Sequence, residues 1–165
     1  MELVVLRHGE AGRRVALASD DAERGLTVAG KDEVKDVAQA MKRLDLEFDV
    51  IATSPLRRAR ETAEIVAKEL GLDKTLRIWD ELKPEADSKI LYRRLSRLNQ
   101  DSCVLMVGHE PFLSTMIGEM ITGGRGCHIV LKKSGIAKLE ISSFTPAPTA
   151  ELRWLLTPRV AKRLS

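Results

Sequence analysis

The chain predicts an α/β domain, a three-layer αβα sandwich around a mostly parallel sheet. Three observations carry that expectation. Apolar runs of strand length alternate with amphipathic runs of helix length, the pattern of a sheet covered on both faces. The runs at Leu3, Val4, Val5, Leu6 and at Val104, Leu105, Met106, Val107 are unbroken, as in strands buried on both sides. Late in the chain, two strand-like runs follow each other with only a turn between them, so at least one strand runs antiparallel.

In order, residues 2–7 read as a buried strand. Residues 9–26 have no clean periodicity and read as a long loop, a class that often carries function. Residues 28–44 are a helix, because Val34, Val37, Ala38, Met41 and Leu44 fall on one face. Residues 49–53 are the second strand. Ser54 is placed as the N-cap of the next helix, with Pro55 at its first position. Ala59, Thr62, Ala63, Val66, Ala67 and Leu70 make its buried stripe, and Gly71 ends it. A short strand follows near 75–79, and Asp87 caps a helix over 88–98. Residues 103–108 are a strong buried strand. Pro111 starts a helix with Phe112, Leu113, Met116, Ile117, Met120 and Ile121 inward, closed by Gly123 and Gly124. Residues 128–132 and 136–141 flank Lys133-Ser134-Gly135 and predict a hairpin. Pro146 and Pro148 mark a loop, and 151–156 is the last strand.

The 165 residues suit one domain, 1–165, with a full core. No repeat or internal linker interrupts it. Composition is ordinary for a globular protein, 44% apolar and 31% charged. Aromatics are only 4%, too few for a stacking platform, and the net charge of +3 is not clustered. Nucleic acid is therefore not an expected partner. The basic stretch Arg159–Arg163 reads as a solvated terminal tail. Cys103 and Cys127 are expected reduced and buried. Arg7 interrupts the only apolar run near the start, and no run approaches the ~18 residues of a membrane span. No membrane partner and a cytoplasmic location are the expectations.

The chemistry lies where the strands end. The first strand runs into Arg7-His8-Gly9-Glu10, the second into Ser54-Pro55-Leu56-Arg57-Arg58-Ala59, the fourth into Gly108-His109. Parallel strands side by side bring these ends to one edge, where open α/β sheets bind ligands. Arg58 falls in the first turn of a helix, where unpaired N–H groups and the dipole already favour an anion. A guanidinium fork adds bidentate phosphate recognition. A neutral imidazole there can attack phosphorus and form a phospho-enzyme, with arginines and a second, protonated histidine stabilising the equatorial oxygens. Such a site needs neither metal nor cofactor, and the spacings of metal-binding motifs are absent. His128 has no comparable setting and reads as structural.

These residues resemble the histidine phosphatase superfamily, which shares the phosphoglycerate mutase fold. Arg7-His8-Gly9 matches its signature, and the resemblance makes His8 the nucleophile. Ser54-Pro55-Leu56-x-Arg58-Ala59, followed by Thr62-Ala63, matches the second motif and selects Arg58 over Arg57 for phosphate. Gly108-His109 matches the third, which makes His109 the second catalytic histidine. Arg7 is implied as a further phosphate ligand. Arg7-His8-Gly9-Glu10-Ala11 and Arg24-Gly25-Leu26-Thr27 with Gly30 are most similar to the SixA-type protein-phosphohistidine phosphatases. That similarity implies Arg24 as a phosphate ligand, although the subgroup often has Arg-Pro-Leu-Thr here.

Many members use a carboxylic acid to protonate the leaving oxygen. Glu81, Glu85 and Glu110 are the candidates, and no motif selects among them. An imidazole leaving group, whose conjugate acid has a pKa of roughly 6.5, departs without a strong acid. The expected partner is thus a phosphohistidine-bearing protein. A small phosphate ester is the alternative substrate, and a phospho-ligand-binding pseudo-enzyme the alternative of another class.

Overall fold

The computed structural model describes residues 1–13, 21–124 and 127–165. Its centre is a six-stranded sheet made of β1 (Glu2–Arg7), β2 (Val50–Thr53), β3 (Leu76–Ile78), β4 (Cys103–Gly108), β5 (Ile136–Ser143) and β6 (Thr149–Leu156), in the order β3-β2-β4-β1-β5-β6. The first four in chain order are parallel, and β5 and β6 are antiparallel additions on the far side of β1. The helices are α1 (Val28–Arg43), α2 (Arg57–Leu70), α3 (Ser88–Leu95), α4 (Phe112–Thr122) and the short α5 (Pro158–Ala161).

Alternate side chains of the central strands go to opposite faces. Val4, Leu6, Ile51, Leu105 and Val107 pack with α1 and α2 through Val34, Val37, Ala63 and Val66. Leu3, Val5, Ala52, Val104 and Met106 pack on the other face with Leu91, Leu95, Leu113 and Met116 of α3 and α4. Both faces are dry, so unbroken apolar strands are what this sheet requires. Each Val, Leu, Ile or Met among them contributes on the order of 1.5–3 kcal/mol on burial. No helix among the described residues is long and apolar enough to cross a membrane.

Register decides function here. Arg7 lies opposite Gly108, and Thr53 opposite Val107. The His8 N–H donates to Gly108 O at 3.0 Å, and the Ser54 N–H to Val107 O at 3.0 Å. His8, Ser54 and His109 therefore leave three adjacent strands at one edge.

Several expectations need correction. The hairpin is formed by β5 and β6 around Pro146 and Pro148, not by 128–132 with 136–141. Both edges of β5 are occupied, by β1 and by β6, so 128–132 has no edge to join. That segment is instead irregular and turns at Ser134, whose φ is 54°. Ser54 does not cap α2, which begins at Arg57. The helix over 88–98 stops at Leu95, although Asp87 caps it as expected by accepting from the Lys89 N–H at 2.9 Å. Cys103 and Cys127 are free but only half-buried. The tail at Arg159–Arg163 is partly docked: α5 buries Ala161 in the core beside α1, and Lys162 pairs with Asp36 at 3.2 Å. In the loop over 9–26, residues 14–20 lie outside the described residues, and Ala11 bridges to Leu26.

Candidate active site

His8 follows the last residue of β1 and is 7% exposed. Its Nδ1 lies 2.8 Å from the Gly9 carbonyl. A carbonyl oxygen can only accept, so Nδ1 carries the proton and Nε2 keeps its lone pair. The Gly9 N–H donates to Thr62 Oγ1 at 3.1 Å, and that hydroxyl donates to the Arg58 carbonyl at 2.7 Å. The backbone beside His8 is thereby tied to the first turns of α2. Glycine is needed on both sides of a close approach: a Cβ on Gly9 would lie 2.7 Å from Val34 Cγ2, and one on Gly30 would lie 2.2 Å from the Glu10 carbonyl oxygen.

His109 follows β4 and is 2% exposed. Its ring centroid is 5.0 Å from that of His8, with the planes at 54°. Nε2 bonds the Ser54 hydroxyl at 2.9 Å. Nδ1 is buried and meets no hydrogen-bond partner among the described residues, leaving it to engage a phosphoryl oxygen. Ser54, expected as a helix cap, therefore orients the second histidine.

Arg58 sits in the first turn of α2 and is 5% exposed. Its Nη1 donates to the Asp21 carbonyl at 2.8 Å and pairs with Asp21 Oδ2 at 3.2 Å. Arg24 donates from Nε to Asp21 Oδ1 at 3.0 Å and from Nη1 to the Gly12 carbonyl at 2.8 Å. Arg7 donates from Nη1 to the Leu131 carbonyl at 2.9 Å. Arg57 turns outward to Glu61 at 2.7 Å and is half-exposed. Glu61 in turn accepts from the Leu26 N–H at 2.8 Å, which pins the Arg24 loop to α2. Asp21 was not singled out from the sequence. Its one visible signal is a position three residues before Arg24.

Burial pushes the His8 pKa down to about 4, opposed by its bond to Gly9 and reinforced by the charges of Arg58, Arg7 and Arg24. Burial, then His8 and the same three arginines, push His109 down as well. Both imidazoles are therefore neutral at pH 7. This suits a nucleophile at His8. The protonated second histidine expected from the sequence belongs to the phosphoryl-bound site, because without an anion the guanidiniums repel a further positive charge at His109. A phosphate dianion among these groups reverses that electrostatic balance, so protonation of His109 becomes favourable with the anion in place.

Two of the three candidate acids are engaged elsewhere. Glu81 accepts two bonds from Arg94 Nη1, at 2.7 and 2.9 Å, and Arg94 stacks over Trp79 at 4.5 Å. Glu110 accepts from the backbone and hydroxyl of Ser114. Glu85 is exposed, and so is His128. Among the described residues, no three of His, Cys, Asp and Glu gather as a metal site would require.

The chain is similar to known proteins in sequence and in fold. A sequence profile described as the histidine phosphatase superfamily (branch 1) matches residues 3–86. The chain is 39% identical over 142 residues to an uncharacterized protein of Picosynechococcus sp., covering 84% of each. It is 30% identical over 125 residues to phosphohistidine phosphatase SixA of Escherichia coli, covering 74% of this chain and 76% of that one. A solved structure of the protein histidine phosphatase SixA complexed with tungstate superposes with a TM-score of 0.85 at 26% identity, over 96% of this chain and 98% of the other.

Proposed function

The chain belongs to the histidine phosphatase superfamily, and we propose that it hydrolyses phosphohistidine in a partner protein through a phosphoryl intermediate on His8. One observation carries the reading: a nucleophile with its tautomer fixed stands among three guanidiniums while both leading acid candidates are bound elsewhere. The likeness to a phosphohistidine phosphatase supports the same substrate.

The steps follow from the geometry. Nε2 of His8 attacks phosphorus as the P–N bond of the substrate breaks. The substrate ring, protonated at its other nitrogen by solvent, leaves as neutral imidazole. Arg58, Arg7 and Arg24 stabilise charge on the equatorial oxygens, as does His109 through Nδ1. Water then attacks the phosphoryl group on His8, releasing inorganic phosphate and returning the neutral imidazole. An alkoxide leaving group would require a positioned acid, and Glu81 and Glu110 are committed to Arg94 and Ser114.

The test compares kcat/KM for a phosphohistidine-bearing protein domain, an aryl phosphate and a sugar phosphate under one set of conditions. The expected order is phosphohistidine, then aryl, then alkyl. A sugar phosphate turned over best would replace this reading with that of a metabolite phosphatase, and would mean that a carboxylate such as Glu81 or Glu110 changes partners in the complex.

A further inference from the structure

Asp21 lies outside the motifs read from the sequence, yet its carboxylate holds two of the three arginines around His8. Oδ1 receives Arg24 Nε at 3.0 Å and Oδ2 faces Arg58 Nη1 at 3.2 Å, while its own carbonyl takes a further bond from Arg58 at 2.8 Å. The three side chains are 6% (Arg58), 17% (Arg24) and 20% (Asp21) exposed, so water competes weakly for these bonds. Arg24 is fixed at a second point by Gly12 O, and Arg58 by its place in the first turn of α2. A carboxylate that engages one side of each guanidinium determines which N–H groups face the histidines. From this geometry we infer that Asp21 is a positioning residue of the site, setting Arg58 and Arg24 as a single pre-formed clamp for the equatorial oxygens of the transferred phosphoryl group.

The inference rests on the reading of the site as one for phosphoryl transfer. Two opposing effects of Asp21 can be separated. Its charge lowers the local positive potential and so weakens every bound oxyanion. Its geometry favours oxyanions whose oxygens match the clamp, above all the five-coordinate form that vanadate adopts on an imidazole nitrogen. Removing Asp21 therefore acts on tetrahedral phosphate mainly through charge, and on vanadate through both.

Calorimetric titration of the full chain with orthovanadate and with inorganic phosphate tests this. The proteins are wild type, Asp21→Ala, Asp21→Asn, Arg58→Ala, Arg24→Ala and the two double variants that pair Asp21→Ala with each arginine change. Asp21→Ala is expected to weaken vanadate about tenfold relative to phosphate, a coupling of the size seen between groups sharing one network. Asp21→Asn, which keeps one acceptor oxygen and the same shape, should fall between, and it supplies the answer if the alanine variant does not fold. In either arginine background the loss should shrink at least threefold, because part of the clamp is already gone. Equal changes for both oxyanions, vanadate tightened relative to phosphate in the variant, or an undiminished loss in both arginine backgrounds would overturn the assignment. So would a wild type that binds no vanadate. A wild type that binds vanadate but leaves phosphohistidine intact would instead overturn the proposed function, and the clamp could still be read from the titrations.

Discussion

The Ser54 hydroxyl stands 2.9 Å from Nε2 of His109, joining the residue after β2 to the residue after β4. The same oxygen accepts from the Leu56 N–H at 3.3 Å, so its position is fixed from the chain that leads into α2. Ser54 is fully buried, and a ring held on one nitrogen presents the other in one direction.

Ser54→Ala should leave the fold intact and lower kcat by several-fold, up to about tenfold, the size of one lost hydrogen bond of about 1 kcal/mol. Steady-state kinetics alongside thermal unfolding checks this. A drop in Tm with unchanged kcat would assign the bond to stability instead.

Arg58→Ala should cost about 10²–10³ in rate, as expected for removing a group aimed at developing charge. Arg57→Ala should cost far less, since its guanidinium lies on Glu61 at the surface. The pair checks the register of the second motif. A larger loss at Arg57 would contradict the placement of α2 against the site.

The histidines should titrate low. NMR titration of the imidazole resonances is expected to give His8 a midpoint near 4, below the ordinary 6.5, with His109 also well below 6.5. Bound vanadate should raise the His109 midpoint by offsetting the arginine charges. Stability has a definite sign. Between pH 6.5 and about 4 the unfolded chain takes up protons that folded His8 refuses, so these groups make stability fall as pH is lowered through that window. A His8 midpoint near 6.5 would mean that the site is wetter than this packing allows.

Much of this was legible in the chain because burial on both faces leaves a strong mark. The unbroken runs at Leu3–Leu6 and Val104–Val107 could only be interior strands, and the residues after them had to share an edge. The hairpin was misplaced because 128–132 has strand-like composition, while strand pairing depends on which edges are unoccupied. Ser54 was misassigned because a serine before proline suits both a cap and a buried hydroxyl, and only the arrival of His109 from a distant strand decides between them. Asp21 could not be found from local pattern, because its partner Arg58 is 37 residues away. Arg24 was reached through family resemblance, and the structure sets it beside Arg58 on that same carboxylate.

The proposed reaction transfers phosphorus to Nε2 of His8. The most direct measurement is to quench the wild-type enzyme during turnover of a ³²P-labelled phosphohistidine protein and map the label by peptide mass spectrometry. Acid-labile, base-stable phosphate is expected on His8 and absent from His8→Ala, which should keep its fold and lose turnover. Label on His109 instead, or activity in His8→Ala within about tenfold of wild type, would contradict it.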